Sequence, residues 1–209
     1  MTFIFYTLLA FVLLYSIILH EIAHGWVAEK MGDSSARMYG RITLNPIPHL
    51  DLFGTLLPII LMFSGARIIF GWAKPVPINP YNFNDYKKGM IWVSVAGVLT
   101  NLFIAWILAT LLKLMPNATN DLAYVFQAVL KYGVRINIVL AVFNLMPIPP
   151  LDGSKLFQMI LPYPYSEYIR RLEAYGFFIL VLFLMFPPAQ AFIWGIVSFI
   201  YRLMMFKIF

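Results

Sequence analysis

Three residues within one short segment have the types and spacing to bind and use a metal ion. His20, Glu21 and His24 form the pattern H-E-x-x-H. Two histidines four positions apart lie on one face of a helix, so both imidazoles can reach the same ion. The glutamate between them can act as general base toward water that the metal activates. The pattern therefore predicts a hydrolytic zinc site with His20 and His24 as ligands and Glu21 as the catalytic base.

The segment before this pattern is apolar enough to enter a membrane. Phe3 to Leu19 is a run of seventeen residues without a charge. Ionisable groups at membrane depth cost about 2.5 to 3.5 kcal/mol each on insertion scales, so a cluster of them indicates a functional site. The run lacks a basic start and a small-residue cleavage site, and we expect it to be retained as a membrane helix.

The composition indicates an integral membrane protein. Of the 209 residues, 62% are hydrophobic and 11% are charged, whereas soluble domains carry about 25% charged residues. We predict an all-α polytopic protein of the cell membrane, with five to six membrane helices of about 20 residues each. We expect a catalytic membrane core over residues 1–160 and a C-terminal helical hairpin of the same domain over 161–209. The uncharged stretches are Met1 to Leu19, Leu52 to Ala66, Gly89 to Leu112, Ile136 to Leu151 and Ala174 to Tyr201.

The basic residues indicate a lipid partner and no nucleic acid. The net charge is +6, but lysine and arginine occur singly or in pairs near the ends of apolar stretches, as in loops that face anionic headgroups. Lys30, Arg37 and Arg41 follow His24 and favour an active site towards the cytoplasmic side. The chain has no cysteine, so any metal must be bound by histidine and carboxylate groups.

A catalytic zinc ion usually has three protein ligands, so a third ligand must come from outside the H-E-x-x-H segment. Asp152 stands apart because Pro147, Pro149 and Pro150 precede it and break the preceding helix, which frees carbonyl groups that could line a polar cavity. The alternative is that this aspartate only caps a helix. For His49 and Asp51 we expect capping and hydrogen bonding. The candidates are Asp33, His49, Asp51, Asp85, Asp121 and Asp152.

Two further expectations concern the topology. Arg37 to Leu44 alternates in part between apolar and polar residues, which predicts a short strand, and Ala66 to Trp72 could pair with it in a small β-hairpin. An amphipathic loop is the alternative. His24 and Asp152 both lie near the C-terminal ends of their apolar segments, so those segments should run parallel. We expect Leu52 to Trp72 to enter the membrane and return. The alternative is that this segment spans the membrane and that a compensating crossing lies near Leu122 to Leu130.

Three elements together resemble the site-2 protease family of intramembrane zinc metalloproteases. The resemblance spans residues 20 to 153, and its motifs are specific in combination. Val98 stands where proline is usual in the family, and Ser154 where a second glycine is common. The elements are His20, Glu21 and His24; Gly97 with Asn101; and Asn144 through Gly153, which is similar to the family pattern N-x-x-P-x-x-P-L-D-G.

The resemblance implies a fold, an activity and roles for particular residues. His20, His24 and Asp152 would bind one Zn²⁺ ion per chain and Glu21 would activate water. Asn144 and Asn101 would contact the backbone of the substrate, a single-span transmembrane protein, and a β-hairpin would clamp it. The alternative for these two asparagines is ordinary hydrogen bonding between membrane helices. Similarity to the compact prokaryotic members implies that this chain contains no PDZ or CBS domain.

Two other classes of function compete with the protease. A membrane metal transporter or metal-binding protein could use histidine, aspartate and asparagine as an ion path, but it does not need a glutamate between the two histidines. Transporters also commonly carry internal repeats, and the sequence shows none. A catalytically silent scaffold that binds transmembrane helices would not need the intact ligand set.

Overall fold

The computed structural model describes residues 1–54, 56, 60 and 73–206. These residues form α-helices joined by short loops and 3₁₀ turns, and they contain no strand. The helices whose two ends are described are α1 (Thr2–Lys30), α2 (Ser35–Met38), α3 (Tyr86–Leu114), α4 (Asp121–Asn144), α5 (Asp152–Ile160), α6 (Tyr165–Leu172), α7 (Gly176–Met185) and α8 (Pro187–Met205). The 3₁₀ turns are Ile47–His49, Pro80–Asn82 and Glu173–Tyr175.

Three of these helices are long and apolar enough to cross a membrane. They are α1, α3 and α4, with 29, 29 and 24 residues. The stretch Tyr165–Met185 meets Pro187–Met205 at a bend of 80°, and this pair gives a fourth candidate span. The all-helical class agrees with the sequence prediction. The described residues contain three to four candidate spans, which is fewer than the five to six predicted.

Contacts between the three long helices define their directions. Val12 on α1 lies beside Gly133 on α4, and Ser16 bonds to Asn137 one turn further along both helices. These two helices therefore run parallel, as predicted from the positions of His24 and Asp152. Helix α3 runs antiparallel to both, because its contacts with α1 and with α4 run in the opposite order.

The main apolar core lies where α3, α4 and α8 meet. Small residues on α3 let the other two helices approach closely, and β-branched residues fill the space between them. Helix α8 begins directly after the bend, where Pro187 is its first residue and does not need to donate a backbone hydrogen bond. The buried residues of this core are Ala105, Ala109, Val134, Ile138, Val142, Ile193 and Val197.

The strand predicted for Arg37 to Leu44 is not formed. Its first residues belong to helix α2, and the chain then turns at Gly40, which has a φ of +63°. The Asp33 carboxylate explains this local fold, because it accepts hydrogen bonds from the backbone and hydroxyl of Ser35 and so favours a helical turn. The predicted partner strand, Ala66 to Trp72, lies outside the described residues. So does most of Leu52 to Trp72, the segment expected to enter the membrane and return.

Asp33 also joins the end of α1 to the segment before α3. Its Oδ2 accepts a hydrogen bond from the backbone of Asn79 at 2.7 Å, and its Oδ1 accepts one from Asn82 Nδ2 at 2.8 Å. Burial raises the pKa of the Asp33 carboxyl, but the hydrogen bonds from Ser35, Asn79 and Asn82 outweigh burial and the net pKa is lowered. The carboxylate therefore stays charged and fixes both loops at the same end of the helix bundle.

This arrangement predicts the sidedness of three exposed positions. We expect Ser34→Cys and Tyr81→Cys to react with a membrane-impermeant thiol reagent from one face of the membrane, and Asn117→Cys from the other, because a single crossing by α3 separates them. The chain has no native thiol to compete. Labelling of Ser34→Cys and Asn117→Cys from the same face would contradict the assignment of α3 as a membrane span.

Candidate metal centre

The predicted metal-binding groups meet at one point inside the helix bundle. His20 Nε2 and His24 Nε2 lie 3.0 Å apart, and Asp152 Oδ2 lies 3.2 Å from the first nitrogen and 3.0 Å from the second. Ligands of a tetrahedral zinc ion, at about 2.0 to 2.1 Å from the metal, lie about 3.3 Å from one another. The separations fit a zinc ion after a small outward movement. Within the described part of the chain, no other group of three such side chains could hold a metal ion.

The second nitrogen of each imidazole determines the protonation of the first. His24 Nδ1 lies 2.7 Å from the carbonyl oxygen of Val93, which can only accept a hydrogen bond. His20 Nδ1 lies 2.6 Å from Asn101 Oδ1, which is also an acceptor. Both Nδ1 atoms therefore carry a proton, and in the neutral rings both Nε2 atoms present lone pairs to each other and to the Asp152 carboxylate. Such a group of converging acceptors fits a bound cation.

A chain of buried polar side chains supports His20 from behind. Asn101 Nδ2 donates to Asn137 Oδ1 at 3.0 Å, and Asn137 Nδ2 donates to Ser16 Oγ at 2.9 Å. Ser16 Oγ in turn donates to the carbonyl of Val12 at 2.7 Å. These contacts link α1, α3 and α4 and hold the amide of Asn101 in the orientation that accepts from His20. The predicted contact of Asn101 with substrate stays a prediction, and orienting His20 is a further role for this residue.

Gly97 allows α3 to approach His20. A Cβ atom at this position would lie 2.5 Å from His20 Nδ1, closer than real Cβ atoms come to any neighbour. The imidazole cannot move away without losing its contact with Asn101 or its position beside His24. Glycine is therefore required here by the space that the ring occupies, and the nearby Val98, where family members usually have proline, does not prevent this close contact.

Asp152 reaches the histidines because helix α5 begins directly beneath the end of α4. Gly153 packs against the carbonyl groups of Leu145 and Met146, and a side chain there would overlap both. Ser154 fits where relatives commonly have a second glycine, since its hydroxyl is buried and donates to the carbonyl of Leu151 at 2.7 Å. The proline-rich connection between α4 and α5 thus turns the chain so that the first residue of α5 faces α1.

The catalytic base predicted from the sequence contacts an extended segment of the chain. Glu21 Oε2 accepts a hydrogen bond from the backbone of Val76 at 2.9 Å. Val76 lies within residues 73–79, which have no regular secondary structure and include Pro75 and Pro77. Prolines favour an extended backbone and cannot join a helix at these positions. We call residues 73–79 the strap.

Two residues that were not assigned to the metal hold the strap in place. The carbonyl of His49 accepts a hydrogen bond from the backbone of Lys74 at 2.9 Å, and Arg41 donates to the carbonyl of the same lysine. His49 Nε2 donates to the carbonyl of Thr43 at 2.9 Å. Burial lowers the pKa of the Arg41 guanidinium, and the negative charge of Glu21 acts in the opposite direction. His49 therefore has a structural role here, and Asp51 likewise caps a backbone group, the N–H of Gly54, at 2.7 Å.

A cavity of about 770 Å³ opens beside the metal-binding groups. Its volume is in the range of ligand sites, about 300 to 1,000 Å³. The wall is mostly apolar and includes residues of α1, the strap, α3, α4 and α5, and also Phe177 and Leu180 of α7. Its polar residues are His20, Glu21, His24, Ser94, Asn101, Asn144, Asp152 and Lys155.

The roles of several of these supporting residues could not be predicted from the sequence. The acceptor for His24 is the backbone carbonyl of Val93, and any residue type could supply it. Asn137 and Ser16 are polar residues in apolar helices, which is a recognisable anomaly, but their pairing spans 121 positions of the chain. The sequence suggests that Arg41 is a loop cation, whereas the residue is only 5% exposed in the structure.

Comparison with known proteins identifies the class to which this fold and site belong. A family model described as "Peptidase family M50" matches residues 115–187. The Bacillus subtilis protein named "Putative zinc metalloprotease YwhC" is 36% identical over 194 residues, which cover 91% of this chain and 85% of that protein. The chain therefore belongs to peptidase family M50, the site-2 protease family. It is a multi-pass membrane zinc metalloprotease.

Two further relatives support this assignment. "Putative zinc metalloprotease Rip2" of Mycolicibacterium smegmatis is 30% identical over 83% of this chain and 65% of its own length. "Putative zinc metalloprotease MJ0611" of Methanocaldococcus jannaschii is 31% identical over 68% of this chain and 64% of its own length. No solved structure matched the chain.

The contact between Gly97 and His20 can be tested with a single methyl group. We expect Gly97→Ala to lower the zinc content of the purified protein and its proteolytic activity, because the added Cβ displaces the imidazole. Gly195→Ala is the matched control, since a Cβ there meets no atom within 4 Å. Both changes favour the helix by about 1 kcal/mol, so only the local overlap differs. Unchanged zinc content in Gly97→Ala would contradict the close contact.

Proposed function

We propose that this protein is an intramembrane zinc endopeptidase that hydrolyses a peptide bond within or near the transmembrane segment of a single-span protein. In this proposal His20, His24 and Asp152 hold the zinc ion and Glu21 is the general base. The observation that carries the proposal is the convergence of three acceptor atoms, with separations of 3.0 to 3.2 Å, beside a cavity that Glu21 also lines.

The donor set suits zinc chemistry. Two neutral imidazoles and one carboxylate leave a fourth coordination position, as in catalytic zinc sites. When bound, zinc would act as a Lewis acid that polarises the substrate carbonyl and makes water easier to deprotonate. Asn101 and the Val93 carbonyl keep the two imidazoles in the tautomer that can bind a cation, which is the usual function of such hydrogen bonds behind metal ligands.

Glu21 carries out the proton transfers. Its carboxylate accepts a proton from the attacking water and then returns it to the nitrogen of the leaving amine. The N–H of Val76 holds one carboxylate oxygen at 2.9 Å, while the other oxygen is available for the proton. Because Arg41 and His49 fix the backbone of Lys74 two residues earlier, the strap orients the base from the side of the loops.

The substrate must expose its backbone before it can react. Carbonyl groups of a transmembrane helix are hydrogen-bonded within the helix, so a segment entering the cavity must unwind locally. Asn144 lies in the wall, and its Nδ2 donates to the carbonyl of Leu140 at 2.9 Å. The Asn144 amide has a second N–H and an acceptor oxygen. We propose that these two groups bind the unwound backbone of the substrate, together with the side chain of Asn101.

The orientation of the site is also part of the proposal. Lys30 ends α1, and Arg37 and Arg41 follow in the loops at the same end of the bundle. By the positive-inside rule this end faces the cytoplasm. In the labelling experiment described above, Ser34→Cys and Tyr81→Cys should react from the cytoplasmic face.

The role of Glu21 can be separated from metal binding. We expect Glu21→Gln to retain zinc and its thermal unfolding temperature while proteolysis falls by about 10³-fold or more, because the change removes the base and no ligand. The measurement compares bound zinc with cleavage of single-span proteins in vesicles. Glu29→Gln is the matched control, since Glu29 lies two turns further along α1 in an exposed ion pair with Arg37. Cleavage by Glu21→Gln at close to the parental rate would refute the assignment of Glu21 as the general base. If the parent protein transported zinc but cleaved no substrate, the result would favour the transporter alternative.

A second test concerns the third ligand. Asp152→Ala should weaken zinc binding by about 100-fold or more. Asp51→Ala should keep the metal, because the Asp51 carboxylate accepts a hydrogen bond from the backbone N–H of Gly54 and is not part of the metal-binding group found among the described residues. Zinc content after dialysis against graded chelator concentrations gives the comparison. Loss of zinc from Asp51→Ala with retention in Asp152→Ala would overturn the ligand set.

A further inference from the structure

We propose that Ser94 is a substrate-binding residue, whose hydroxyl donates a hydrogen bond to a main-chain carbonyl of the peptide segment in the cavity. The proposal rests on the function proposed above, because it requires an unwound substrate beside the metal-binding groups. It adds a residue on α3 to the asparagines already considered.

Ser94 lies on the face of α3 that meets both imidazoles. Its neighbour Val93 provides the carbonyl that accepts from His24, and Gly97, one turn later, packs against His20. Positions 94, 97 and 101 follow the spacing of a single helix face. Ser94 also lines the cavity. A peptide held for hydrolysis beside the two histidines must therefore pass close to this side chain.

The Ser94 hydroxyl has no hydrogen-bond partner among the described residues. The residue is only 2% exposed, so water does not readily replace the missing partner. Hydroxyl groups in membrane helices commonly donate to the carbonyl four residues earlier, as Thr7, Ser16 and Thr110 do here. Buried polar groups in folded proteins are nearly always paired. An unpaired donor in the wall of a cavity beside an active site indicates that its acceptor belongs to a ligand.

The chemistry of the cavity identifies the acceptor as a peptide carbonyl. Most of the wall is apolar, for example Ile17, Leu140 and Phe143, and can pack against the side chains of a transmembrane segment. Unwinding that segment leaves carbonyl oxygens without their helical N–H partners. A serine hydroxyl supplies a donor with little bulk and no charge. With Asn144 on α4, the substrate backbone would then be held from two helices.

The experiment measures cleavage and binding separately. The probe is a single-span protein with a fluorescent label in its transmembrane segment, incorporated into vesicles of phosphatidylethanolamine and phosphatidylglycerol. We expect Ser94→Ala to lower kcat/KM by about tenfold and, when combined with Glu21→Gln, to raise the Kd of the probe by a similar factor. Thr110→Ala is the matched control, because it removes a hydroxyl from the same helix outside the cavity and should leave both values unchanged.

Thermal unfolding and zinc content distinguish substrate binding from a structural role. Ser94→Ala should keep its zinc and unfold at the parental temperature or above it, because the substitution removes no hydrogen bond to any residue that the structure describes. A lower unfolding temperature, loss of zinc, or cleavage and binding equal to the parent would each overturn the role of Ser94. If the parent chain hydrolyses no single-span protein, both the proposed function and the role of Ser94 are refuted. If the parent chain cleaves its substrate and Ser94→Ala cleaves it equally well, only the role of Ser94 is refuted.

Discussion

The candidate metal site depends on which nitrogen of each histidine carries the proton. A backbone carbonyl and an amide oxygen accept from the two Nδ1 atoms, so the two Nε2 lone pairs face each other and a carboxylate. Without a cation this arrangement is repulsive, and burial increases the repulsion. The surrounding structure must therefore oppose the separation of the three groups, and the polar contacts and close glycine packing described here do so.

The histidine pair, Asp152 and Glu21 are each positioned by a different feature of the fold. The histidines are brought together by helical spacing alone, since residues four apart share a face. Asp152 is placed by a helix break and by the small volume of Gly153, which lets the start of α5 lie against the end of α4. Glu21 belongs to the same helix as the histidines, but its carboxylate is oriented by the strap. The site thus combines a local pattern with two long-range contacts.

This combination explains what could be predicted from the sequence. The pair His20 and His24 and the base between them follow from local spacing, and the apolar segments indicate the helical class. The proline-rich run before Asp152 also marks a break that is visible without a structure. By contrast, Val93 contributes only a carbonyl, and Arg41 and Ser94 differ from ordinary loop and helix residues only in their surroundings. The strand predicted near Arg37 failed because partial alternation over eight residues is weak, and a single buried aspartate at position 33 favoured a helical turn instead.

The polar chain from His20 through Asn101 and Asn137 to Ser16 also bears on how the protein responds to the lipid around it. Membranes differ in thickness, and membrane helices accommodate a mismatch by tilting or kinking, or the bilayer around them deforms. Sliding α1 against α3 by even one residue, about 1.5 Å along the axis, would separate donors and acceptors that now lie 2.6 to 3.0 Å apart. The three helices are therefore held in register, and a tilt that accommodates a change in bilayer thickness should move them together.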